Sequence, residues 1–433
     1  DLDGNDTGKY SPYYSESVFI EKKEDTKARI EFSFTPAKLI MHEREILNFV
    51  GVYRKGDNAK FDELEQKIED ISRKESKDDI PSYWKAHLKN KIMQITELQN
   101  NSGKDGTSFV FITDTHVGVN EKKSGLLVQK IIKDCDIPYI IHGGDFVTGG
   151  GNALKQSIID DIKINKDMFG DYMDRVLMVE GNHDAAYSAN FEEDPIYYYA
   201  KNLTSEEIYN YVFRHNEIPP QRIVGGNGTY FYQDDKVNKI RYILLNSMDT
   251  PYGIDEEGYS LKKYNKMRRA LMREEQIKWF ANKALDVSKD WSVVVCSHIE
   301  PFSKDMPVHN GDVAANILQA FKDGTEYSGT SKSNVIEEFK FSIDVDFTGR
   351  GGDVIAWIAG HMHYDSINPH NPSNITFNIV ETLNDSLGAW SDAPVKTPGT
   401  DTEQAFDIFT VNKKTKTVNV TRVGAGKDRQ FVY

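Results

Sequence analysis

The chain has 433 residues, 39% hydrophobic and 28% charged, with a formal net charge of −14; this is the composition of a globular protein longer than one ordinary domain. The acidic balance argues against a broad footprint on extended duplex nucleic acid, but not against a small phosphate ester, since bound cations would invert the local field. Two cysteines, Cys135 and Cys296, rule out a disulfide framework and read as small buried hydrophobes. No apolar run reaches the roughly 18–20 residues of a membrane span, and the first ten residues (DLDGNDTGKY) hold no secretory h-region; the expectation is a soluble chain whose compartment is left open, with cytoplasmic and virion-associated locations both compatible.

In chain order, Ser17–Phe34 alternates like two short strands around a charged turn. Phe61–Ile71 places Phe61, Leu64, Ile68 and Ile71 on one helical stripe, and Pro81–Gln99 does the same with Trp84, Leu88, Ile92, Ile95 and Leu98. Amphipathic stripes of this kind pack on a core more often than on a partner. The Gly-rich polar spacer Asn100–Thr107 predicts a boundary, giving an N-terminal extension over 1–101, with a surface for a protein partner as its alternative use, and a main domain over 102–433.

Beyond the spacer the period changes. Strands are predicted at Ser108–Thr113, Pro138–His142 and Arg175–Glu180, separated by helices at Lys122–Lys133 and Leu154–Phe169. Strands separated by helices argue for parallel βαβ units in a layered α/β fold. An interval at about 190–290 reads as a cap insertion, although Thr229–Tyr232 and Lys239–Ser247 within it are strand-like and Glu274–Val287 is an amphipathic helix. Trp291–Ser297 and Asp353–Ala359 are further buried strands, with a polar interval, Lys304–Arg350, between them. Ile375–Val380, Phe406–Val411 and Thr417–Val423 complete the strand set, the last two joined by a hairpin turn at Asn412–Lys416.

Five of these apolar runs end in residues that bind metals: Asp114-Thr115-His116, Gly143-Gly144-Asp145, Gly181-Asn182-His183-Asp184, Ser297-His298 and Gly360-His361-Met362-His363. Taken singly, most are ordinary turn residues, and His298 alone would be an ordinary core histidine. Their joint occurrence at strand ends, where open α/β sheets bind ligands, is what carries the signal. Carboxylates, an amide oxygen and imidazoles suit Mn, Fe, Zn or Co better than an all-oxygen cage. The lack of cysteine ligands argues against structural zinc.

The order D-x-H, GD, GNHD, H, GHxH resembles the calcineurin-like metallophosphoesterase superfamily over about Phe109–Val380. The resemblance implies a four-layer α/β/β/α sandwich of two mixed sheets carrying two divalent metals, with manganese favoured. It implies that Asp114, His116 and His363 hold one metal, that Asn182, His298 and His361 hold the other, and that Asp145 bridges both. His183 would face the substrate, donating to the leaving-group oxygen or stabilising the phosphorane-like charge, with Asp184 orienting its imidazole. The residues after Asp145 (Phe146-Val147-Thr148) match neither the arginine of phosphoprotein phosphatases nor the tyrosine of purple acid phosphatases. The long N-terminal part and the ending Val423–Arg429 are similar to bacterial and phage phosphoesterases. The implied activity is metal-dependent hydrolysis of a phosphomonoester or phosphodiester, on a small molecule or nucleotide. The alternatives are a virion or surface binding protein on the same scaffold, or a nuclease. Beside Asn182 and His183, Arg350 in Gly349-Arg350-Gly351-Gly352 is a candidate phosphate contact, and the Tyr197–Tyr199 cluster, with Arg214, His215 and Arg222, is a candidate for substrate selection.

Overall fold

The computed structural model describes residues 80–116, 121–148, 155–185, 203, 205–214, 222–226, 228–250, 269–386 and 393–433. The strands expected over Ser17–Phe34 and the helix expected over Phe61–Ile71 lie outside them.

Helix α1 (Lys85–Ser102) leads into β1 (Gly106–Ile112), followed by α2 (Glu121–Cys135), β2 (Tyr139–His142), α3 (Lys155–Asp167) and β3 (Val176–Met178). A short α4 (Ser205–Ile208) precedes β4 (Arg222–Val224), β5 (Phe231–Asp235) and β6 (Ile240–Leu244). Then come β7 (Ala270–Leu271), α5 (Glu274–Trp279), β8 (Ser292–Cys296), β9 (Val308–His309), α6 (Gly311–Asp323), β10 (Glu326–Thr330) and β11 (Ser342–Asp346). The chain closes with β12 (Asp353–Ala359), β13 (Ser366–Ile367), β14 (Ile379–Glu381), β15 (Ala405–Asn412), β16 (Thr417–Gly424) and β17 (Arg429–Val432).

Two mixed sheets result, in the orders β17-β16-β15-β1-β2-β3 and β13-β14-β12-β8-β6-β5-β4. Strands β1, β2 and β3 run parallel to one another, as do β6, β8, β12 and β14. The runs SVVVC in β8 and VIAWIA in β12 are buried along their whole length, as strands covered on both faces must be. The inner faces meet through Phe109, which stacks on Phe409 at 5.1 Å and meets Tyr242 of the second sheet edge-on at 5.3 Å. Outside, Ile243, Val293, Val295 and Trp357 of the second sheet share a cluster with Phe280 and with Ala314, Ile317, Leu318 and Phe321 of α6. The fold is thus the expected four-layer α/β/β/α sandwich.

The described residues from Ile80 to Tyr433 belong to one compact unit. Helix α1, which runs into the Gly-rich spacer Asn100–Thr107, lies within that unit. The reason is that α1 is part of the sandwich. It packs on β1, β15, β16 and α2, with Trp84, Leu88 and Ile95 buried in the main core and the Trp84 indole donating to Glu403 Oε1 at 3.2 Å. Of the described residues within 190–290, β5 and β6 belong to the second sheet and α5 leads into the Phe280 segment of its helical cover. The interval read as polar holds α6, whose Val313, Ile317, Leu318 and Phe321 form a buried stripe ended by the left-handed Gly324, as well as the β10–β11 hairpin.

Truncating an aromatic this deeply buried costs about 3–5 kcal/mol. Trp84→Ala is therefore expected to lower the stability of the whole unit by that amount in denaturant unfolding; a loss under ~1 kcal/mol would mean that α1 is only an appendage.

Candidate metal centre

Because β1, β2 and β3 are parallel, and β8 and β12 are parallel in the other sheet, the residues just past their carboxyl ends gather where the two sheets meet. His298, after β8, bonds through Nδ1 to the Gly143 carbonyl after β2 at 2.8 Å. The His361 amide, after β12, donates to Asp114 Oδ2, after β1, at 3.0 Å. Asp114 N and His116 N donate to the carbonyls of Gly144 and Asp145 at 3.0 and 3.1 Å, which locks the first two loops together.

The backbone is bent hard to achieve this. Asp114, His116, Asp145, His361 and His363 all adopt positive φ, half of the ten described non-glycine residues that do. Such conformations cost free energy and persist where the surroundings enforce them. Glycine is obligatory beside them: a Cβ on Gly360 would collide with the Thr113 hydroxyl and Asp114 Oδ2, and one on Gly181 with Asp145 Oδ1.

Two knots of donor atoms follow. In one, His363 Nε2 lies 3.1 Å from Asp114 Oδ1 and 3.3 Å from His116 Nε2. In the other, Asn182 Oδ1 lies 3.0 Å from His298 Nε2 and 3.1 Å from His361 Nδ1. Between them Asp145 Oδ2 faces His298, His116 and His183 Nε2 at 3.3, 3.7 and 3.9 Å.

The electrostatics call for positive charge. Asp114 and Asp145 are 0% and 1% exposed. Burial opposes their ionisation, yet the surrounding imidazoles, His363 and His298 foremost, hold both carboxyls well below the usual range. Burial likewise disfavours charge on His298, but Asp145 and Asp114 outweigh it and lift the imidazole to about 10. Burial pushes His116 down to about 4, so it is the neutral imidazole that a cation requires.

A family model for calcineurin-like phosphoesterases matches residues 107–365, well over half of the chain. The chain belongs to the calcineurin-like phosphoesterase family. A search of curated proteins gives no match.

For a member of this family the donor set fits a pair of divalent cations on two observations. Three overlapping groups, Asp114/His116/His363, His116/Asp145/His183 and Asp114/Asp145/His298, each bring their ligand atoms within 4.8 Å of one another. The approach of His116 and His363 ring nitrogens also opposes two lone pairs unless a proton or cation lies between them. The outer ring nitrogens are committed elsewhere: Nδ1 of His116 to the Val147 carbonyl at 3.1 Å and Nδ1 of His298 to Gly143. With Nδ1–H donating, the neutral form of each ring presents a lone pair at Nε2 to the centre; for His298, raised to about 10 beside the bare carboxylates, a cation must displace the Nε2 proton.

Two expectations are corrected. Asp184 does not orient the His183 imidazole. Its carboxylate accepts from the backbone amides of Asp145, Phe146 and Gly181 at 3.0, 2.6 and 2.7 Å, so it supports the loop that carries Asp145. The imidazole of His183 is held instead by the Thr148 carbonyl, through Nδ1. Arg350 is not in the centre either. It precedes β12, and the centre lies past the other end of that seven-residue strand, roughly 20 Å away at ~3.3 Å per residue. Its guanidinium donates to the Asp346 carbonyl at 2.7 Å. Tyr197–Tyr199 and His215 lie outside the described residues.

The structure adds supports that the motifs do not show. The Thr113 hydroxyl donates to Asp114 Oδ2 at 2.6 Å. Asp365, two residues past His363, accepts from Leu383 N and from Arg422 and Arg429, which also share Asp407. Threonine before D-x-H and aspartate after GHxH were visible signals, but neither type implies a role without its neighbours.

Replacing Gly360 by alanine pushes the Asp114 carboxylate aside. Loss of such support costs ~10–100-fold in metal affinity. Gly360→Ala is expected to weaken Mn²⁺ binding within that range in titration calorimetry while keeping the far-ultraviolet dichroism of the parent; unchanged affinity would count against the packing described.

Proposed function

We propose that the chain is a dinuclear-metal-dependent phosphoesterase hydrolysing a phosphomonoester or phosphodiester of a small molecule or nucleotide. The observation that carries this reading is the gathering of Asp114, His116, Asp145, His183, His298 and His363 into overlapping groups of ligand atoms at one sheet edge. In it, Asp114, His116 and His363 hold one cation, Asn182, His298 and His361 hold the other, and Asp145 lies between. The mixed oxygen and imidazole donors suit Mn, Fe, Zn or Co, and manganese is the favoured choice. When bound, such a pair clamps a phosphate and lowers the pKa of water between the cations.

The protein's own contribution to the proton inventory is His183. With Nδ1–H given to the Thr148 carbonyl, its Nε2 is the free position, and the side chain is a quarter exposed. In the imidazolium form Nε2 delivers a proton to the departing alkoxide, a step that buried His298 and His116 cannot perform while they serve as ligands. Positioned proton transfer of this kind contributes about 10²–10⁴ in rate. Asn182 belongs to the second knot through Oδ1, and its neighbour His183 is anchored through its own N–H to Asp145 Oδ1 at 2.8 Å.

The complete donor set favours an enzyme over a binding scaffold, because a centre kept only as architecture has no need of so much strained backbone. Residues 80–433 form the catalytic unit in this proposal, with the preceding residues as its extension.

The Mn²⁺-loaded chain is expected to hydrolyse p-nitrophenyl phosphate, bis-p-nitrophenyl phosphate or a nucleotide. His183→Asn should keep two metals per chain and lose ~10²–10⁴ in kcat, whereas Asn182→Ala should lose one metal. If no substrate in this panel, single-stranded DNA included, is turned over faster by the parent than by the variants, the reading is wrong.

A further inference from the structure

His361 stands apart from the other imidazoles of the centre. His116 and His298 turn Nε2 inward and give Nδ1 to backbone carbonyls. His361 is reversed: Nδ1 faces Asn182 Oδ1 at 3.1 Å, and its buried Nε2 has no hydrogen-bond partner. The nearest carboxylate to that nitrogen is Asp305, whose Oδ2 lies 3.4 Å away.

The turn that presents Asp305 is built rather than loose. The Phe302 amide donates to Glu300 Oε2 at 2.6 Å, and the Met306 amide to the Ser303 hydroxyl at 3.3 Å. Met306, immediately after Asp305, is buried in the outer core of the second sheet. Asp305 itself is half exposed, and the ion pair described for its carboxylate is the one with His361.

We propose that Asp305 is a positioning residue for His361, a role that rests on the metal-centre reading above. A carboxylate facing Nε2 holds the proton there and leaves the lone pair on Nδ1, which is the form of imidazole that binds a cation beside Asn182. It also fixes the ring plane by a side chain, where the other two rings are fixed by backbone. The distance shortens to an ordinary charge-assisted bond when Nε2–H donates. The cation held by Asn182, His298 and His361 is therefore the one that depends on a surface loop.

The test is calorimetric titration of the full apo chain with Mn²⁺ alone, with metal content after dialysis as a second measure, on the parent, Asp305→Ala and Asp305→Asn. The parent is expected to take up two metals. Asp305→Ala should bind one of them ~10–100-fold more weakly, with the metal-free thermal midpoint unchanged, because an exposed side chain is removed. Asp305→Asn, whose amide oxygen still accepts from Nε2–H, should recover most of the lost affinity; if its deficit equals that of the alanine variant, the role is one of net charge and the positioning claim is overturned. It is overturned as well if Asp305→Ala binds both metals as the parent does. A parent that binds no Mn²⁺ would sink the metal-centre reading itself, and this inference with it.

Discussion

Two carboxylates, Asp114 and Asp145, are buried where the carboxyl ends of five strands converge, and their ion partners among the described contacts are imidazoles alone. Removing an ionised carboxylate from water costs several kcal/mol even after relaxation, and among the described contacts only the imidazoles, with His298 raised to about 10, offset it. The site is therefore poised for cations, and its remaining features serve to keep these oxygen atoms together: positive φ at the turns, glycine where a Cβ would collide, and amide donors from Asp184's loop partners.

The sandwich makes this convergence mechanical. Parallel strands in both sheets point their carboxyl ends the same way, and the aromatic contact among Phe109, Phe409 and Tyr242 fixes the two sheets face to face. The Gly360–His363 loop is tied down on its far side by Asp365, which joins it to Arg422 and Arg429 of the C-terminal strands. A buried network of this kind contributes to uniqueness of geometry more than to stability. It makes the last part of the chain, β15 to β17, an outer support for a motif sixty residues earlier.

How much of this was legible in the sequence depended on whether a residue's role is set locally. The D-x-H, GD, GNHD and GHxH turns could be read because strand, glycine and metal-type side chain are contiguous, and these candidate side chains lie together at the sheet edge. Helix α6 was hidden because its apolar stripe sits between polar turns and was averaged into a polar interval, although Gly324 marked its end. Arg350 looked like a phosphate contact because a Gly-rich loop with arginine is a plausible cradle. Strand polarity, which places it at the wrong end of β12, is known only from the sheet. The roles of Asp184 and Asp305 are set by what folds against them, backbone amides in one case and an imidazole in the other, so local pattern could not assign either. The place of α1 was ambiguous for a similar reason: the stripe with Trp84 and Leu88 announced packing, but the Gly-rich spacer after it resembled a boundary.

In the proposed reading, two divalent cations sit at these strand ends with Asp145 between them. Anomalous-scattering crystallography on Mn²⁺-loaded crystals tests it most directly. Two anomalous peaks are expected, one in contact with Asp114, His116 and His363, the other with Asn182, His298 and His361, and both in contact with Asp145. A single peak, or peaks ligated by other side chains, would contradict it.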